Sequence, residues 1–383
     1  MNQRKDHLSI VIASDSYKGS LSSSEVSELM TEGFNRLGKN LNIKSFSIAD
    51  GGEGTVEALA KENGEMIEFE VTGLFGEKTI GELGKLDDKT CVIETASPCG
   101  LNRLSYDQLN PYKATSRGVG EMIVHALDMG FENIYIGLGG SAVNDGGIGL
   151  AQAIGVSITD IDNNEVPYGI DGLKSIANID TSLLDSRIKN TNFILLSDVT
   201  NPLTGVNGAT FIYGPQKGLP KSDLQEIDRH MEHYGNLLSK DTGKDIINTP
   251  SAGAAGGIGA TLIALTNAKI ERGIEAIIAL LNMEMFIEKA DIVFTGEGRM
   301  DGQSINGKAP VGIAKIAKKY NKPVVAIVGS KGEGYENVLD YGIDLVLDLV
   351  NQPVTLEECI ASTPVTLPTT SYMALKLFDS IIE

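Results

Sequence analysis

The sequence predicts an α/β protein of two domains, a Rossmann-like parallel-sheet domain interrupted by a second, inserted α/β domain. Three observations predict this. Short, largely apolar runs at residues 8–13, 193–197, 291–295 and 324–328 have the length and character of strands buried on both faces. The first three break into polar, glycine-rich loops, as in α/β proteins that place ligands at the carboxyl ends of strands. The texture also changes to hairpin-like alternation near Asn63 and returns to strand–loop–helix after Phe286. On that reading residues 1–62 and 287–383 form the discontinuous domain, and 63–286 the insertion.

In chain order, the run 8–13 ends in DSYKGSLSSSEV, which places Asp15 and Lys18 in the strand-to-helix turn. Ser22 and Glu25 have capping-box spacing, so a helix begins there and extends to about Leu37. A second strand over 43–48 leads into ADGGEGTVEAL, with Asp50 and Glu53 among glycines and a helix from about Thr55. The segment 67–97 alternates as a hairpin would, and 115–130 reads as a helix feeding a strand at 133–136.

GLGGSAVNDGGIGLAQAIG follows that strand. Gly137, Gly139 and Ala142 satisfy the looser dinucleotide fingerprint, with Asp160 about twenty residues on, near the place of a ribose-binding acid. Asn144, Asp145, Gly146 and Gly147 interrupt what should be the early helix, which suits a ligand-facing loop with the helix starting near Gly147. Asp198 stands where the strand 193–197 ends, fitting both a turn cap and a metal or catalytic role. Lys217, after Gly214 and Pro215, fits a phosphate contact or a solvated surface lysine.

Residues 222–240 form a polar amphipathic helix. Its His230 and His233 lack the Glu or Cys partners of a zinc site and are expected at the surface. SAGAAGGIGATLIAL then supplies a glycine-rich turn and an apolar helix. In TGEGRMDGQSINGKAP, Glu297, Arg299, Asp301 and Lys308 crowd one loop before a helix over 310–320. Gly302 to Lys308 matches the start of a P-loop, but Ala309 replaces the Ser or Thr that would hold Mg²⁺, and the match does not begin at the strand end. A Walker-type site is therefore rejected. Further strands are expected at 324–328 and 345–349.

Composition narrows the function. The chain has 383 residues, a net charge of −19, 44 glycines and three cysteines. A field that negative disfavours nucleic acid, so small-molecule substrates are expected. Cys91, Cys99 and Cys359 form no CxxC pair, and no stretch approaches ~18 uninterrupted apolar residues. A cytoplasmic protein that does not span a membrane is expected. With no HExxH, no GxSxG and no histidine in these loops, hydrolase triads and zinc catalysis have little to work with. Acidic residues for Mg²⁺, scattered cations and glycine loops suit phosphoryl transfer.

The stretches DSYKGSLSSSEV, ADGGEGTVEAL, GLGGSAVNDGGIGLAQAIG, DVTNPLTGVNGATFIYGPQKG, SAGAAGGIGATLIAL and TGEGRMDGQSINGKAP together resemble the bacterial glycerate kinase type-1 family, in its order, from residue 8 to about 330. The resemblance implies a two-domain kinase with its active site in the cleft between domains. It would transfer the γ-phosphoryl group of ATP to D-glycerate with Mg²⁺, 2-phosphoglycerate being favoured over 3-phosphoglycerate. The chain departs from the family's pattern at Ser14, Tyr17 and Gly302, where Pro, Phe and Ser are usual.

Within that resemblance, Asp198, Asp301 and Lys18 are the catalytic candidates, with Asp198 and Asp301 dividing the roles of Mg²⁺ ligand and general base. Lys18, Arg299 and Lys308 are expected on phosphate or glycerate carboxylate groups. Ser141, Asn144 and Asp145 are expected on glycerate hydroxyls or the nucleotide, and Asp15, Asp50 and Glu297 complete the expected substrate-binding set. Competing readings are a kinase of another small hydroxy acid, an NAD-dependent oxidoreductase built on Gly137 to Ala142, and an inactive hydroxy-acid sensor.

Overall fold

A computed structural model describes residues 7–48, 54–305 and 307–381. From the amino end, β1 (His7–Ser14), α1 (Ser23–Asn35) and β2 (Asn40–Ser47) precede α2 (Thr55–Asn63), β3 (Glu65–Thr72), β4 (Lys78–Lys85) and β5 (Thr90–Glu94). The middle contains α3 (Ala96–Cys99), α4 (Arg117–Asp128), β6 (Asn133–Gly137), α5 (Ile148–Ala153), β7 (Ser157–Thr159), α6 (Gly169–Ser175), β8 (Asn178–Asp180) and β9 (Asn192–Leu196). It continues through α7 (Ala209–Tyr213), α8 (Leu224–Thr242), α9 (Ile258–Leu265) and β10 (Lys269–Glu271). The remainder is α10 (Gly273–Leu280), α11 (Met283–Lys289), β11 (Ile292–Gly296), β12 (Arg299–Met300), α12 (Ala309–Lys319), β13 (Val324–Val328), β14 (Ser330–Lys331), β15 (Leu345–Asp348) and α13 (Leu356–Ile381). By its internal contacts the chain divides into Met1–Asp50 with Ile274–Glu383, and Gly51–Gly273. Among the described residues no helix is long and apolar enough to cross a membrane.

The first unit is a five-stranded parallel sheet in the order β15-β13-β11-β1-β2. Successive side chains of a strand point to opposite faces. Leu8, Ile10 and Ile12 therefore join Phe294 and Ile327 in a core capped by Val26, Met30 and Phe34 of α1 and Leu367 and Leu375 of α13. Helix α12 packs on β11 and β1 without sharing a residue with that cluster, so it covers the other face. The capping box forms as its spacing predicts: Ser22 Oγ accepts from Glu25 N at 3.3 Å, and Ser22 N donates to Glu25 Oε2 at 2.8 Å. Helix α13 contains Pro364 and Pro368. Pro364 has no N–H for the carbonyl of Ile360 one turn back. Ser20 Oγ supplies that donor instead, at 3.1 Å.

The second unit is built on a six-stranded mixed sheet, β10-β9-β6-β5-β4-β3. The β3–β4–β5 meander is antiparallel, as the alternation between Asn63 and Ser97 predicts, and β5, β6, β9 and β10 run parallel. Its core joins Ile93, Ile136 and Leu195 of the central strands to Val119, Met122 and Ile123 of α4 and Ile258 and Leu262 of α9. Helix α5 begins at Ile148 behind Gly147, as expected from the glycine and polar run before it.

Candidate functional site

In the first unit, β1 continues to β2 on one side and pairs with β11 on the other, so the strand order reverses between β1 and β11. Open α/β sheets leave a crevice at the carboxyl end of such a reversal. Ser14 lies beside Gly296 there. Asp15 N donates to Gly296 O at 3.0 Å, and the Asp15 carboxylate accepts from Ser16 N at 2.6 Å. Tyr17 is buried and its hydroxyl donates to Ile327 O at 2.7 Å, which leaves Lys18 exposed on the turn. Burial raises the Tyr17 phenol far above its ordinary range, so it acts as a neutral donor.

The loop after β11 is braided to the loop after β13. Gly329 N donates to Glu297 O, Ser330 N to Gly298 O and Gly332 N to Met300 O. Glu297 is only 5% exposed, and its carboxylate accepts from Ser304 Oγ at 2.6 Å and Lys308 Nζ at 3.0 Å. Burial pushes the Glu297 carboxyl up, against the opposing pull of Ser304 and Lys308. Asp301 turns its carboxylate onto Gln303 N, and Arg299 Nε stands 3.8 Å from it with most of its side chain in solvent. The unit thus gathers Asp15, Lys18, Glu297, Arg299, Asp301 and Lys308 on neighbouring loops. Lys331, bonded to Asp348 at 2.9 Å, joins the same braid. The sequence reading missed it, although KGEG directly after a strand was a usable signal.

In the second unit, the carboxyl ends of β5, β6 and β9 carry Glu94, the 137–147 loop and Asp198. Asp145 is fully buried, accepting at Oδ2 from Ser116 N and Ser116 Oγ and at Oδ1 from Gly147 N. Burial pushes its carboxyl up and these donors oppose the shift. Asn144 Nδ2 donates to Thr210 Oγ1 at 3.1 Å, while its buried Oδ1 has no partner among the described residues. Asp198 is exposed, and its Oδ1 accepts from Gly273 N at 3.2 Å.

Lys217 corrects the picture of a solvated lysine. It is 3% exposed, and its Nζ donates to Val143 O at 2.6 Å and stands 3.4 Å from Ser141 Oγ. Burial pulls its ammonium down to about 8, with Cys99 and Asp145 opposing. Glu94, 7% exposed, was not singled out from the sequence. It accepts from Gly54 N and Thr55 N and so holds the start of α2, where a carboxylate also meets the favourable end of the helix dipole. Asp50 and Glu53 lie outside the described residues.

Two alternatives lose their footing. Helix α5 starts ten or so residues past β6, whereas a dinucleotide fingerprint opens its helix within the glycine motif. Asp160 is spent on its own turn, accepting from Asp162 N and Asn164 N. His233 is exposed, as expected, with Nε2 3.1 Å from Ile176 O, and His230 faces Glu226. Among the described residues no group of three or more His, Cys, Asp or Glu is placed to hold a metal ion.

The model of the glycerate kinase family matches residues 10–379. A glycerate 2-kinase of Escherichia coli K12 is 44% identical over 353 residues, 92% of this chain and 93% of that protein. A glycerate kinase of Bacillus subtilis 168 is 42% identical, covering 92% of each chain. A crystal structure described as a candidate glycerate kinase 2 of Salmonella typhimurium LT2 superposes with a TM-score of 0.85 at 40% identity, covering 98% of this chain and 99% of that one.

Proposed function

The chain belongs to the glycerate kinase family and is a kinase, and from that premise we propose that it transfers the γ-phosphoryl group of ATP to D-glycerate. We further propose 2-phosphoglycerate as the product, a reading supported by the name of the Escherichia coli relative. The observation that carries the reading is the braided loop of the first unit. There a buried acid, Glu297, holds Lys308 beside the exposed Arg299 and the half-buried Asp301 at the sheet's reversal point. Phosphoryl transfer depends on positioning and charge neutralisation, and this loop supplies fixed cations and a carboxylate without further chemistry.

In this proposal Lys18, Arg299 and Lys308 neutralise phosphate or the glycerate carboxylate. Glu297 aims Lys308, Asp15 binds substrate from the turn after β1, and Asp50 is proposed to bind substrate with it. Ser141 and Asn144 hold glycerate hydroxyls or the nucleotide. Asp145, with both oxygens engaged, serves by shaping that loop. Asp198 and Asp301 divide the roles of general base and Mg²⁺ ligand. Mg²⁺ binds through one or two carboxylates plus substrate phosphates, so a single hard carboxylate, Asp198 or Asp301, fits it. When bound it would supply charge neutralisation on the phosphate oxygens. The base accepts the proton of the attacking glycerate hydroxyl.

The experiment is ADP release from Mg-ATP with D-glycerate, L-glycerate or no acceptor, followed by phosphorus NMR of the product. Turnover that requires D-glycerate and is abolished by EDTA is expected, with NMR coupling that places the phosphate on the 2-hydroxyl. Turnover with another hydroxy acid and none with D-glycerate would overturn the acceptor. Coupling of a primary phosphate ester would overturn the product.

A further inference from the structure

The loop from Gly139 to Asn144 has an unequal hydrogen-bond record. Its carbonyls are claimed by the protein: Gly139 O accepts from Thr95 Oγ1 at 3.0 Å, Gly140 O from Leu101 N at 2.8 Å, and Val143 O from Lys217 Nζ at 2.6 Å. Of its amides, Ala142 N donates to Cys99 O. The N–H groups of Gly139, Gly140, Ser141, Val143 and Asn144 have no acceptor among the described residues. Gly140 is exposed and Gly139 half-buried, but Ser141, Val143 and Asn144 are buried, and buried backbone donors are almost always paired, so their unclaimed N–H groups beside a strand end are a demand for an acceptor. Gly140, at φ +72°, turns the chain in the left-handed sense that lets successive N–H groups converge, the geometry of an anion-binding nest.

A second, independent observation narrows the ligand. Asn144 is fully buried, and its side-chain Oδ1 has no donor among the described residues. Unclaimed donors next to an unclaimed acceptor are the complement of a molecule carrying an oxyanion and a hydroxyl together. A hydroxy acid has both within a few bonds. A nucleotide's ionised terminal phosphates have no hydroxyl to donate.

Lys217 sets the shape of this loop. It ends the short turn Pro215–Lys217, pinned by Lys217 N on Gly214 O and by Gly218 N on Pro215 O. Its stem is buried, so its ammonium has one place to go. Its bond to Val143 O fixes the orientation of the peptide whose N–H belongs to Asn144. The groups facing the ammonium are the Cys99 thiol and the Asp145 carboxylate, and the Asp145 oxygens are already bonded to Ser116 and Gly147.

We propose that the free amides of residues 139–144 and the Asn144 side chain form the hydroxy-carboxylate subsite of this kinase, and that Lys217 is the positioning residue that holds it open. The proposal rests on the kinase reading above but commits this loop to the acceptor and not to the nucleotide.

The test uses the full chain, with Lys217→Met, Lys217→Arg and Asn144→Ala compared with wild type. Steady-state kinetics give KM for D-glycerate and for Mg-ATP, and calorimetry gives D-glycerate and glycerol binding without nucleotide. Lys217→Met and Asn144→Ala should each raise KM for D-glycerate tenfold or more, leaving KM for Mg-ATP within twofold. Lys217→Arg should recover part of the loss. Glycerol, which lacks the carboxylate, should bind wild type at least tenfold more weakly than D-glycerate. A rise confined to KM for Mg-ATP would assign the loop to nucleotide phosphates and overturn the proposal. Unchanged constants in Asn144→Ala would also overturn it. Should Lys217→Met not fold, Asn144→Ala carries the decision. If wild type binds D-glycerate through Asn144 but never phosphorylates it, the subsite stands and the kinase reading falls.

Discussion

Lys217 gives the sharpest physical prediction, because its environment makes stability depend on pH with a fixed sign. In the unfolded chain a lysine titrates near its ordinary 10.5, and in the folded unit burial pulls Lys217 down to about 8. Between these values the unfolded state binds more protons than the folded one, so stability rises with pH across the window. Below the folded value the charged, buried form is at its full disadvantage. Above about pH 10.5 that disadvantage is gone. The span is about 2.5 pH units, worth roughly 3 kcal/mol at ~1.36 kcal/mol per unit. By pH 9.5 about 2 kcal/mol of it should be visible.

The assay is urea unfolding of wild type and Lys217→Met between pH 7 and pH 9.5, followed by circular dichroism. If the two units unfold separately, the transition that the substitution moves is the one analysed. Subtracting the variant removes the titration of every group it shares with wild type. The difference should shift toward wild type as pH rises. Parallel curves would mean that Lys217 is not buried in the folded protein. A shift of the opposite sign would mean that an unshielded carboxylate dominates its surroundings.

Asp198→Asn should lower turnover with Mg-ATP and D-glycerate by about 100-fold or more if Asp198 is base or metal ligand. The unfolding midpoint should stay near wild type, because Asp198 is exposed and its recorded bond to Gly273 N can be made by an amide oxygen. Full turnover would remove it from the mechanism. Gly33→Ala probes the α1–α13 contact: an added Cβ would sit 2.2 Å from Pro368 O, a backbone atom that cannot swing aside. Overpacking of that kind typically costs about 1–3 kcal/mol, and thermal unfolding should show it as a lower midpoint. An unchanged midpoint would mean that the two helices are not packed this closely.

The elements that local pattern can specify were legible: the strands of the first unit's parallel sheet, the Ser22–Glu25 cap and the start of α5 behind Gly147. So was the concentration of charge in the loop after β11, because a loop's composition is a local property. What stayed hidden depends on partners far away in sequence. Helix α13 runs through Pro364 and Pro368, although a proline inside a helix ordinarily kinks or ends it. The carbonyl orphaned by Pro364 is met by Ser20, 340 positions away. Lys217 in a Gly-Pro turn reads as a phosphate contact or a solvated lysine, and only the fold brings it to Val143 O, 74 positions away. Glu94 looks like the end of a hairpin strand until α2 is set on top of it. In each case the residue type fits more than one environment, and the deciding atom is a backbone group whose availability is set by tertiary structure. The same reasoning separates the two halves of the proposed chemistry. The cations and carboxylates after β11 announce themselves by type. The donors of the 139–144 loop are main-chain amides, which every sequence possesses and only a structure can show to be free.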